Sequence, residues 1–362
     1  MRDGTVPDAT AYARFFTESG DPAMHAHHVP ASIFYRWAIR ELAVVLACAP
    51  TTEAVLAARA RTSADALAHR LLGDANIAVL LVDHGYRTDE TWPPAELAAR
   101  VPCRVLPVLR LEVLAQELIV RHETFDAMLD AYSASVERAR AEGMVGLKSI
   151  IAYRTGLAVQ QTSREDAAAA FGLVKERARR DGRLRLATKP LNDYVLLRAL
   201  EIAERQAMPV QIHTGFGDAD LDLREANPLH LRPLLESGRY ANVPFVLLHA
   251  SYPYVRELGY LAAMYPNVYA DVGLAIPHLA AEIPAMLRQL LSLTPSTKVV
   301  YSSDASQIPE LFWLAARWGR RGLGAVLDEL ITLGALAGDE ALVVGQRVLG
   351  GNAAGIYGLP WP

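Results

Sequence analysis

Seven short runs of aliphatic and β-branched residues, separated by longer amphipathic stretches, fill the sequence from Ile77 onward and limit what it can fold into. The runs are 77–85 (IAVLLVDHG), 103–112 (CRVLPVLRLE), 144–154 (MVGLKSIIAYR), 208–215 (MPVQIHTG), 243–251 (VPFVLLHAS), 267–273 (NVYADVG) and 297–306 (TKVVYSSDAS). Alternation of such runs with helical stretches is typical of repeated βα units. In such units a parallel sheet is buried on both faces. The sequence therefore predicts an α/β fold with seven parallel strands.

The residues before Ile77 follow a different pattern. Stretch 31–47 has apolar residues at helical spacing, and stretch 52–72 is rich in Ala, Leu and Arg without a strand signal. We predict a helical N-terminal segment over 1–75 and βα units over 76–362, in one domain because no linker divides the chain. Stretch 151–206 is too long for one crossover and predicts two helices, capped at Thr162 and Asn192.

Composition excludes several classes of protein. The chain has 362 residues, 52% of them hydrophobic, and a net charge of −4, so it can bury a large core but offers no basic surface for nucleic acid. No apolar run is long enough to cross a bilayer, and a cytoplasmic location is the default expectation. Cys48 and Cys103 have no CxxC spacing and are predicted to be core residues. The oligomeric state stays open, a homo-oligomer included.

Ionisable side chains stand at or near the end of each run. They are Asp83, His84, Arg110, Glu112, Lys148, His213, His249, Asp271 and Asp304. In a TIM-type (β/α)8 barrel the carboxyl ends of all strands form one rim, and active sites are built there. We therefore predict a barrel of this type, in which these side chains converge.

Three of these residues have the chemistry of metal ligands. His213, His249 and Asp304 would provide two neutral imidazoles and a carboxylate, a set suited to zinc or a similar divalent ion such as manganese. Such an ion lowers the pKa of water towards neutrality. Each residue also has a structural alternative, because a histidine at a strand end can be satisfied by a backbone carbonyl and Asp304 can cap a helix.

The cationic residues near the strand ends predict substrate contacts. Lys148 is compatible with catalysis and with a salt bridge inside the barrel mouth. Arg110 and Arg154 can be members of structural ion pairs, but a guanidinium that faces the mouth also binds a carboxylate through two hydrogen bonds. We predict that both arginines, together with Glu112 and Tyr153, bind the substrate.

A histidine-rich tract lies in the N-terminal segment. His25, His27 and His28 have the composition of a metal-binding tract, but they precede a helix and end no strand. We interpret them as part of a surface loop.

The order of several motifs resembles one family. KSIIAYRTGL, QIHTGFGD, NPLHLRPLL, LLHASYPYVRELGY, YSSDAS and LGGNAAGIYGL, from about Ile77 to the C-terminus, are similar to the amidohydrolase-related branch of the amidohydrolase superfamily. The likeness is greatest to the amidohydrolase-like domain fused to glutamine-synthetase-like domains in nodulin-related proteins. The resemblance implies a metal-dependent TIM barrel that hydrolyses or, in some relatives, decarboxylates small molecules.

The same resemblance implies roles for individual residues. His213 and Asp304 match metal ligands that end the fifth and eighth strands of the family. His249 matches a histidine that polarises the substrate or binds a second metal. Lys148 lies near the position of a lysine that bridges two ions when it is carbamylated, and it is equally compatible with direct substrate binding.

The sequence departs from the family at its first strand. That strand ends in a His-x-His pair of metal ligands, and no such strand precedes the N-terminal helices here. Either the chain given begins after that strand or the protein has lost it, and the barrel would then have two exposed edges. His25 and His27 have the spacing of the missing pair but lack the strand before it.

Three hypotheses for function follow. The first is a zinc-type hydrolase of an amide or other C–N bond in a small substrate with a carboxylate, in which Asp304, His249 and Lys148 are catalytic. The second is a decarboxylase with the same metal. The third is an impaired barrel that binds or scaffolds, for instance for a glutamine-synthetase-like partner.

Overall fold

Seven parallel strands form one sheet that curls into an open barrel. The computed structural model describes residues 6, 8–85, 90–182 and 184–361. The strands of the sheet are β1 (Val79–Asp83), β2 (Arg104–Arg110), β3 (Gly146–Ser149), β4 (Val210–Ile212), β5 (Phe245–Leu247), β6 (Val268–Asp271) and β8 (Val299–Val300). They lie in the order β1-β2-β3-β4-β5-β6-β8, and a two-residue strand β7 (Gly273–Leu274) lies outside the sheet. Each predicted run contains one strand, so the predicted TIM-type fold with seven strands is confirmed.

Helices surround the sheet, and the last of them closes one end of the barrel. They are α1 (Ala9–Ala13), α2 (Ile33–Leu46), α3 (Thr52–Ala60), α4 (Ala64–Asp74), α5 (Pro94–Ala98), α6 (Leu111–Arg121), α7 (Phe125–Arg138), α8 (Arg164–Asp181), α9 (Lys189–Gln206), α10 (Arg232–Glu236), α11 (Val255–Met264), α12 (Ala275–His278), α13 (Ile283–Leu291), α14 (Pro309–Thr332), α15 (Gly338–Gln346) and α16 (Asn352–Tyr357). The helices of the described residues include none that is both long and apolar enough to cross a membrane.

Two predicted helix starts are displaced. α8 is capped by Ser163, whose side chain accepts from the Asp166 N–H, rather than by Thr162. α9 begins at Lys189, because Pro190 fits the first turn of a helix. Asn192 is therefore buried inside α9, where its side-chain amide donates to the Leu186 carbonyl.

The strand register aligns residues of neighbouring strands across the sheet. Arg110 is level with Lys148, Lys148 with Gln211, and Gln211 with Val246. Below the rim, Val246 belongs to a small apolar cluster that includes Tyr357 of α16. The Tyr357 hydroxyl accepts from the Gln211 side chain at 2.9 Å. The C-terminal helix thus fills the barrel interior at the end opposite the site.

The N-terminal helical segment, which was predicted over 1–75, packs against the long helix α14. Trp37 of α2 stacks on Trp318 at a ring separation of 4.3 Å. Nε of Arg59 in α3 lies 2.6 Å from Oε1 of Glu310, and both side chains are buried. A buried charge pair of this kind fixes register because neither partner can be left alone without a desolvation cost.

Candidate active site at the carboxyl ends of the strands

His213 and His249 lie side by side just beyond β4 and β5. Nδ1 of His213 is 2.9 Å from Nε2 of His249, and the ring centroids are 4.5 Å apart. Both residues are buried, with 4% and 2% of their surface exposed. Burial lowers the pKa of both imidazoles, so both rings are neutral at neutral pH.

A backbone carbonyl sets the tautomer of His249. Its Nδ1 lies 3.3 Å from the carbonyl oxygen of Gly273, which can only accept, so Nδ1 carries the proton. Nε2 of His249 therefore presents a lone pair to Nδ1 of His213. In this arrangement His213 donates from Nδ1, and its buried Nε2 has no hydrogen-bond partner among the described residues.

The turn after β5 holds His249 in a strained backbone conformation. His249, Ala250 and Ser251 have φ values of 68°, 52° and 47°, in the left-handed region that non-glycine residues rarely adopt. Oδ1 of the buried Asp271 accepts from the backbone N–H of His249 at 3.1 Å and of Gly273 at 3.0 Å. One carboxylate thus fixes both the His249 turn and the peptide that sets its tautomer, which makes Asp271 a positioning residue.

Gly215 allows the turns after β4 and β5 to approach each other. Its φ is 70°, and a Cβ at this position would lie 2.3 Å from the carbonyl carbon of Ser251. The neighbouring Thr214 hydroxyl lies 2.7 Å from both the Leu248 carbonyl oxygen and the Ser251 hydroxyl oxygen. The HTG sequence after β4 therefore joins the two turns that carry the histidines.

Asp83, Arg110 and Lys148 form a charged cluster across β1, β2 and β3. Oδ2 of Asp83 accepts from Nε of Arg110 at 2.8 Å and lies 3.2 Å from Nζ of Lys148. Burial alone would raise the pKa of Asp83, but the two cations outweigh it and lower the pKa to about 2. The predicted substrate ligand Arg110 is thus engaged by Asp83.

Asp304 lies on the loop that follows β8. Its φ is 51°, again in the left-handed region. Its side chain is 35% exposed, and Oδ1 lies 4.0 Å from Nζ of Lys148. Its negative charge raises the pKa of His249 against the larger effect of burial, so the carboxylate lies within electrostatic reach of the histidine pair.

The predicted substrate ligands Tyr153 and Arg154 lie at the mouth. The Tyr153 ring is 4.4 Å from the His213 ring, and its hydroxyl accepts from the Asp218 N–H at 3.1 Å. Burial raises the pKa of Tyr153, so the hydroxyl keeps its proton. Nε of Arg154 is buried and finds no hydrogen-bond partner in the described part of the chain. Burial, and after it the charge of the neighbouring Arg185, lowers the pKa of Arg154.

Glu112 occupies a different place from the one that its strand-end position suggested. It lies in the first turn of α6, 4% exposed, and Oε1 accepts from the Ser149 hydroxyl at 2.6 Å. Burial raises the pKa of this carboxyl group. The contact with Ser149 links α6 to β3, and a contact between Glu112 and the substrate stays a prediction.

Sequence reasoning did not include two residues near the site, Glu18 and His278. His278 ends α12, and its Nε2 lies 3.5 Å from Oε1 of Glu18 in the N-terminal segment. Neither residue ends a strand, so the strand-end pattern gave no signal for them. Asp271, by contrast, ends β6 and carried the same signal as His213.

The histidine-rich tract is on the surface, as predicted, although it is helical. Met24–His28 forms a π-helical turn, and His27 and His28 are exposed. Nε2 of His25 lies 2.6 Å from the Ser19 carbonyl oxygen.

The site residues fit a divalent cation in the nature of their donors, which are two neutral imidazoles and a carboxylate. Two nitrogens that share a tetrahedral zinc at about 2.0–2.1 Å each lie about 3.3 Å apart. The separation between His213 Nδ1 and His249 Nε2 is 2.9 Å in a direct hydrogen bond, so the two rings would have to move apart and turn, and Nδ1 of His213 would have to lose its proton, before both nitrogens could face one ion. Across the described parts of the chain, no three His, Cys, Asp or Glu side chains cluster closely enough to hold a metal ion. Any third ligand therefore requires a movement such as that of the exposed Asp304 or a donor from elsewhere.

Three comparisons place this geometry among known proteins. The family model described as Amidohydrolase matches residues 24–359. Protein fluG of Emericella nidulans is 38% identical over 240 residues, which cover 63% of this chain and 27% of that protein. The chain thus spans about a quarter of the length of this curated relative.

Solved structures agree with the family match. A Lactobacillus casei protein described as a candidate metal-dependent hydrolase is 32% identical, with a TM-score of 0.88 over 98% of this chain and 92% of that chain. Uronate isomerase from Thermotoga maritima, with a TM-score of 0.64 and 16% identity over 96% of this chain and 82% of that chain, shares the fold. The predicted resemblance to the amidohydrolase-related branch is confirmed, and the chain belongs to the amidohydrolase family.

Proposed function

We propose that this protein is a metal-dependent hydrolase of an amide or other C–N bond in a small substrate that carries a carboxylate. The observation that carries the proposal is the convergence of His213 Nδ1 and His249 Nε2 at the ends of adjacent strands, in neutral form and with the His249 tautomer fixed. The relationship to a candidate metal-dependent hydrolase supports it. The ion would be zinc, with manganese as the alternative.

His213, His249 and Asp304 would hold the ion. When bound, a divalent ion supplies Lewis acidity towards a carbonyl group and lowers the pKa of water. His213 can serve through Nδ1 if its proton moves to Nε2, for which the described parts of the chain provide no hydrogen-bond partner. Asp271 keeps His249 in place through two backbone hydrogen bonds while its carboxylate stays out of the ligand set.

The remaining residues at the mouth would transfer protons, stabilise developing charge and bind the substrate carboxylate. Asp304 is exposed enough to accept a proton from water and to pass it to a leaving amine. Lys148 is held by Asp83 and can stabilise negative charge that develops on the attacked carbonyl oxygen. Because Asp83 already engages Arg110, we assign the substrate carboxylate first to the Tyr153 hydroxyl and to the buried Nε of Arg154, which has no hydrogen-bond partner among the residues that the structure describes.

The test combines metal content with turnover. The purified protein is supplied with zinc or manganese, its bound metal is measured by mass spectrometry, and hydrolysis is followed over a panel of γ-glutamyl and N-acyl compounds. We expect His213→Ala to lower both metal content and kcat/KM, the latter by at least about 100-fold, because even outer-sphere changes cost about 10- to 100-fold. His69→Ala, which removes an exposed histidine of α4, is the matched control.

The outcomes separate the alternatives. Release of carbon dioxide without an amine would replace the hydrolase by a decarboxylase with the same centre. A protein that takes up no metal and turns over nothing, but binds small carboxylates, would instead be a binding barrel, and the proposed function would be wrong.

A further inference from the structure

A buried threonine hydroxyl lies between the two turns that carry the histidines. Thr214 and Ser251 are fully buried, each with 0% of its surface exposed. Oγ1 of Thr214 lies 2.7 Å from the carbonyl oxygen of Leu248 and 2.7 Å from Oγ of Ser251. A carbonyl oxygen can only accept, so the Thr214 hydroxyl donates to Leu248 and the Ser251 hydroxyl donates to Thr214. At this depth, water does not replace a hydrogen bond that is lost.

Thr214 and Asp271 together fix the peptide group between Leu248 and His249. The Leu248 carbonyl oxygen accepts from Thr214, and the His249 N–H donates to Oδ1 of Asp271 at 3.1 Å. One partner comes from the turn after β4, and the other ends β6. Because both polar atoms of the peptide are bound, its plane can rotate only if one of these hydrogen bonds breaks.

The orientation of this peptide determines the backbone conformation of His249. The φ value of His249 is 68°, which a residue other than glycine keeps only where the surrounding contacts impose it. Rotation of the preceding peptide changes φ and turns the imidazole, whose Nε2 lies 2.9 Å from Nδ1 of His213. Thr214 follows His213 directly in the chain. The residue next to one histidine therefore controls the orientation of the other.

Main-chain hydrogen bonds hold the strand ends independently of Thr214. The Leu248 N–H donates to the Ile212 carbonyl at 3.0 Å, and the His213 N–H donates to the Ser149 carbonyl at 3.0 Å. Both bonds remain when the Thr214 hydroxyl is removed. We therefore expect its loss to change the turn that carries His249 while the sheet itself stays intact.

We propose that Thr214 is a positioning residue of the histidine centre, whose hydroxyl holds the Leu248–His249 peptide and thereby keeps Nε2 of His249 directed at Nδ1 of His213. Through this orientation it sets the affinity of the pair for a divalent ion. The statement about the ion rests on the proposed function, whereas the arrangement of the two rings in the metal-free protein does not.

The test compares three threonine variants. Thr214→Val has nearly the same shape but no hydroxyl, and Thr214→Ser keeps the hydroxyl. Thr294→Val is the matched control, because it removes a buried hydroxyl to which the described ranges offer no hydrogen-bond partner. Proton–nitrogen correlation NMR spectra of the metal-free protein report the tautomer and environment of each imidazole. Of the three variants, we expect Thr214→Val to shift the ring signals of His213 and His249.

Zinc affinity is the second readout, measured by competition with a chromophoric chelator on variants that urea unfolding shows to be folded. Thr214→Val should weaken binding by about 10- to 100-fold, the usual effect of a change beside the metal ligands. Thr214→Ser and Thr294→Val should bind zinc like the unmodified protein. Unmoved ring signals in Thr214→Val would overturn the proposal. So would a loss of affinity in Thr214→Ser as large as in Thr214→Val, because packing and not the hydroxyl would then be responsible.

Ser251→Ala keeps the proposal testable if Thr214→Val does not fold. It removes the hydroxyl that donates to Thr214 but leaves the bond from Thr214 to Leu248, so ring signals and zinc affinity should stay as in the unmodified protein. A loss of affinity of about 10-fold or more in Ser251→Ala would overturn the proposal.

The two readouts separate this inference from the proposed function. A protein that takes up no zinc, but whose ring signals move in Thr214→Val, would refute the hydrolase and leave the positioning role. An active zinc hydrolase whose Thr214→Val variant binds zinc as tightly as the unmodified protein would do the reverse.

Discussion

Asp83→Asn tests whether the charged cluster at the rim is held together by one carboxylate. The change keeps the size of the side chain but leaves Lys148 and Arg110 without their shared counter-charge. The lowering of the Asp83 pKa from 3.8 to about 2 corresponds to about 2 kcal/mol, at about 1.4 kcal/mol per pKa unit. We expect the variant to be less stable at neutral pH by at least about 2 kcal/mol, because two buried cations also repel each other.

The pH dependence follows from the direction of that pKa change. Asp83 has a lower pKa in the folded protein, so its stabilisation is complete above pH 3.8 and is lost as the pH falls through about 2. The gap in unfolding free energy between the two proteins should therefore be constant above about pH 5 and narrow between about pH 4 and 2.

Urea unfolding followed by tryptophan fluorescence measures this gap at each pH. Asp328→Asn on the exposed face of α14 is the control and should change stability by less than about 0.5 kcal/mol. A gap that is the same at about pH 2.5 and pH 7, or a variant as stable as the unmodified protein, would refute the electrostatic reasoning.

Two further predictions concern the turns that carry the histidines. Asp271→Ala leaves two buried backbone N–H groups without this acceptor, at a cost of about 1–3 kcal/mol each, and should lower the free energy of unfolding by about 2–6 kcal/mol. Urea unfolding measures this change, and a loss below about 0.5 kcal/mol would contradict the positioning role of Asp271. Gly215→Ala should destabilise by more than about 1 kcal/mol because its φ is positive and its Cβ would meet the Ser251 backbone. Gly172→Ala is the control: it lies in α8 with open space around it and should stabilise the protein by about 0.5–1 kcal/mol. Changes of the melting temperature in the same direction for the two glycine variants would contradict this explanation.

Much of the fold could be predicted from the sequence because each strand of the sheet lies in a short, largely apolar run that has a polar residue at or near its end. The same pattern placed His213 and His249 correctly at one rim, since parallel strands that are adjacent in the sheet end next to each other. Lys148 forms a salt bridge with Asp83, in agreement with the prediction that it can pair with a carboxylate inside the barrel mouth.

Other features depend on contacts that no local pattern encodes. The engagement of Arg110 by Asp83 requires the register of β1 and β2, which spacing alone does not give. The meeting of Glu18 and His278 joins residues at a sequence distance that no periodicity spans. The predicted helix start at Asn192 was wrong because asparagine, which often caps helices, lies inside α9 here. A hydrogen bond to the Leu186 carbonyl satisfies its side-chain amide at that position.

The buried carboxylate of Glu310 has a consequence for the N-terminal segment. It lies 2.6 Å from Nε of Arg59 and accepts from the Tyr12 hydroxyl at 3.5 Å, so one side chain of α14 contacts both α3 and α1. A change at Glu310 would therefore weaken two contacts of the N-terminal helices at once. The hydrogen bond between His213 and His249 involves none of these residues, so we expect the N-terminal helices to loosen while the histidine pair stays in place.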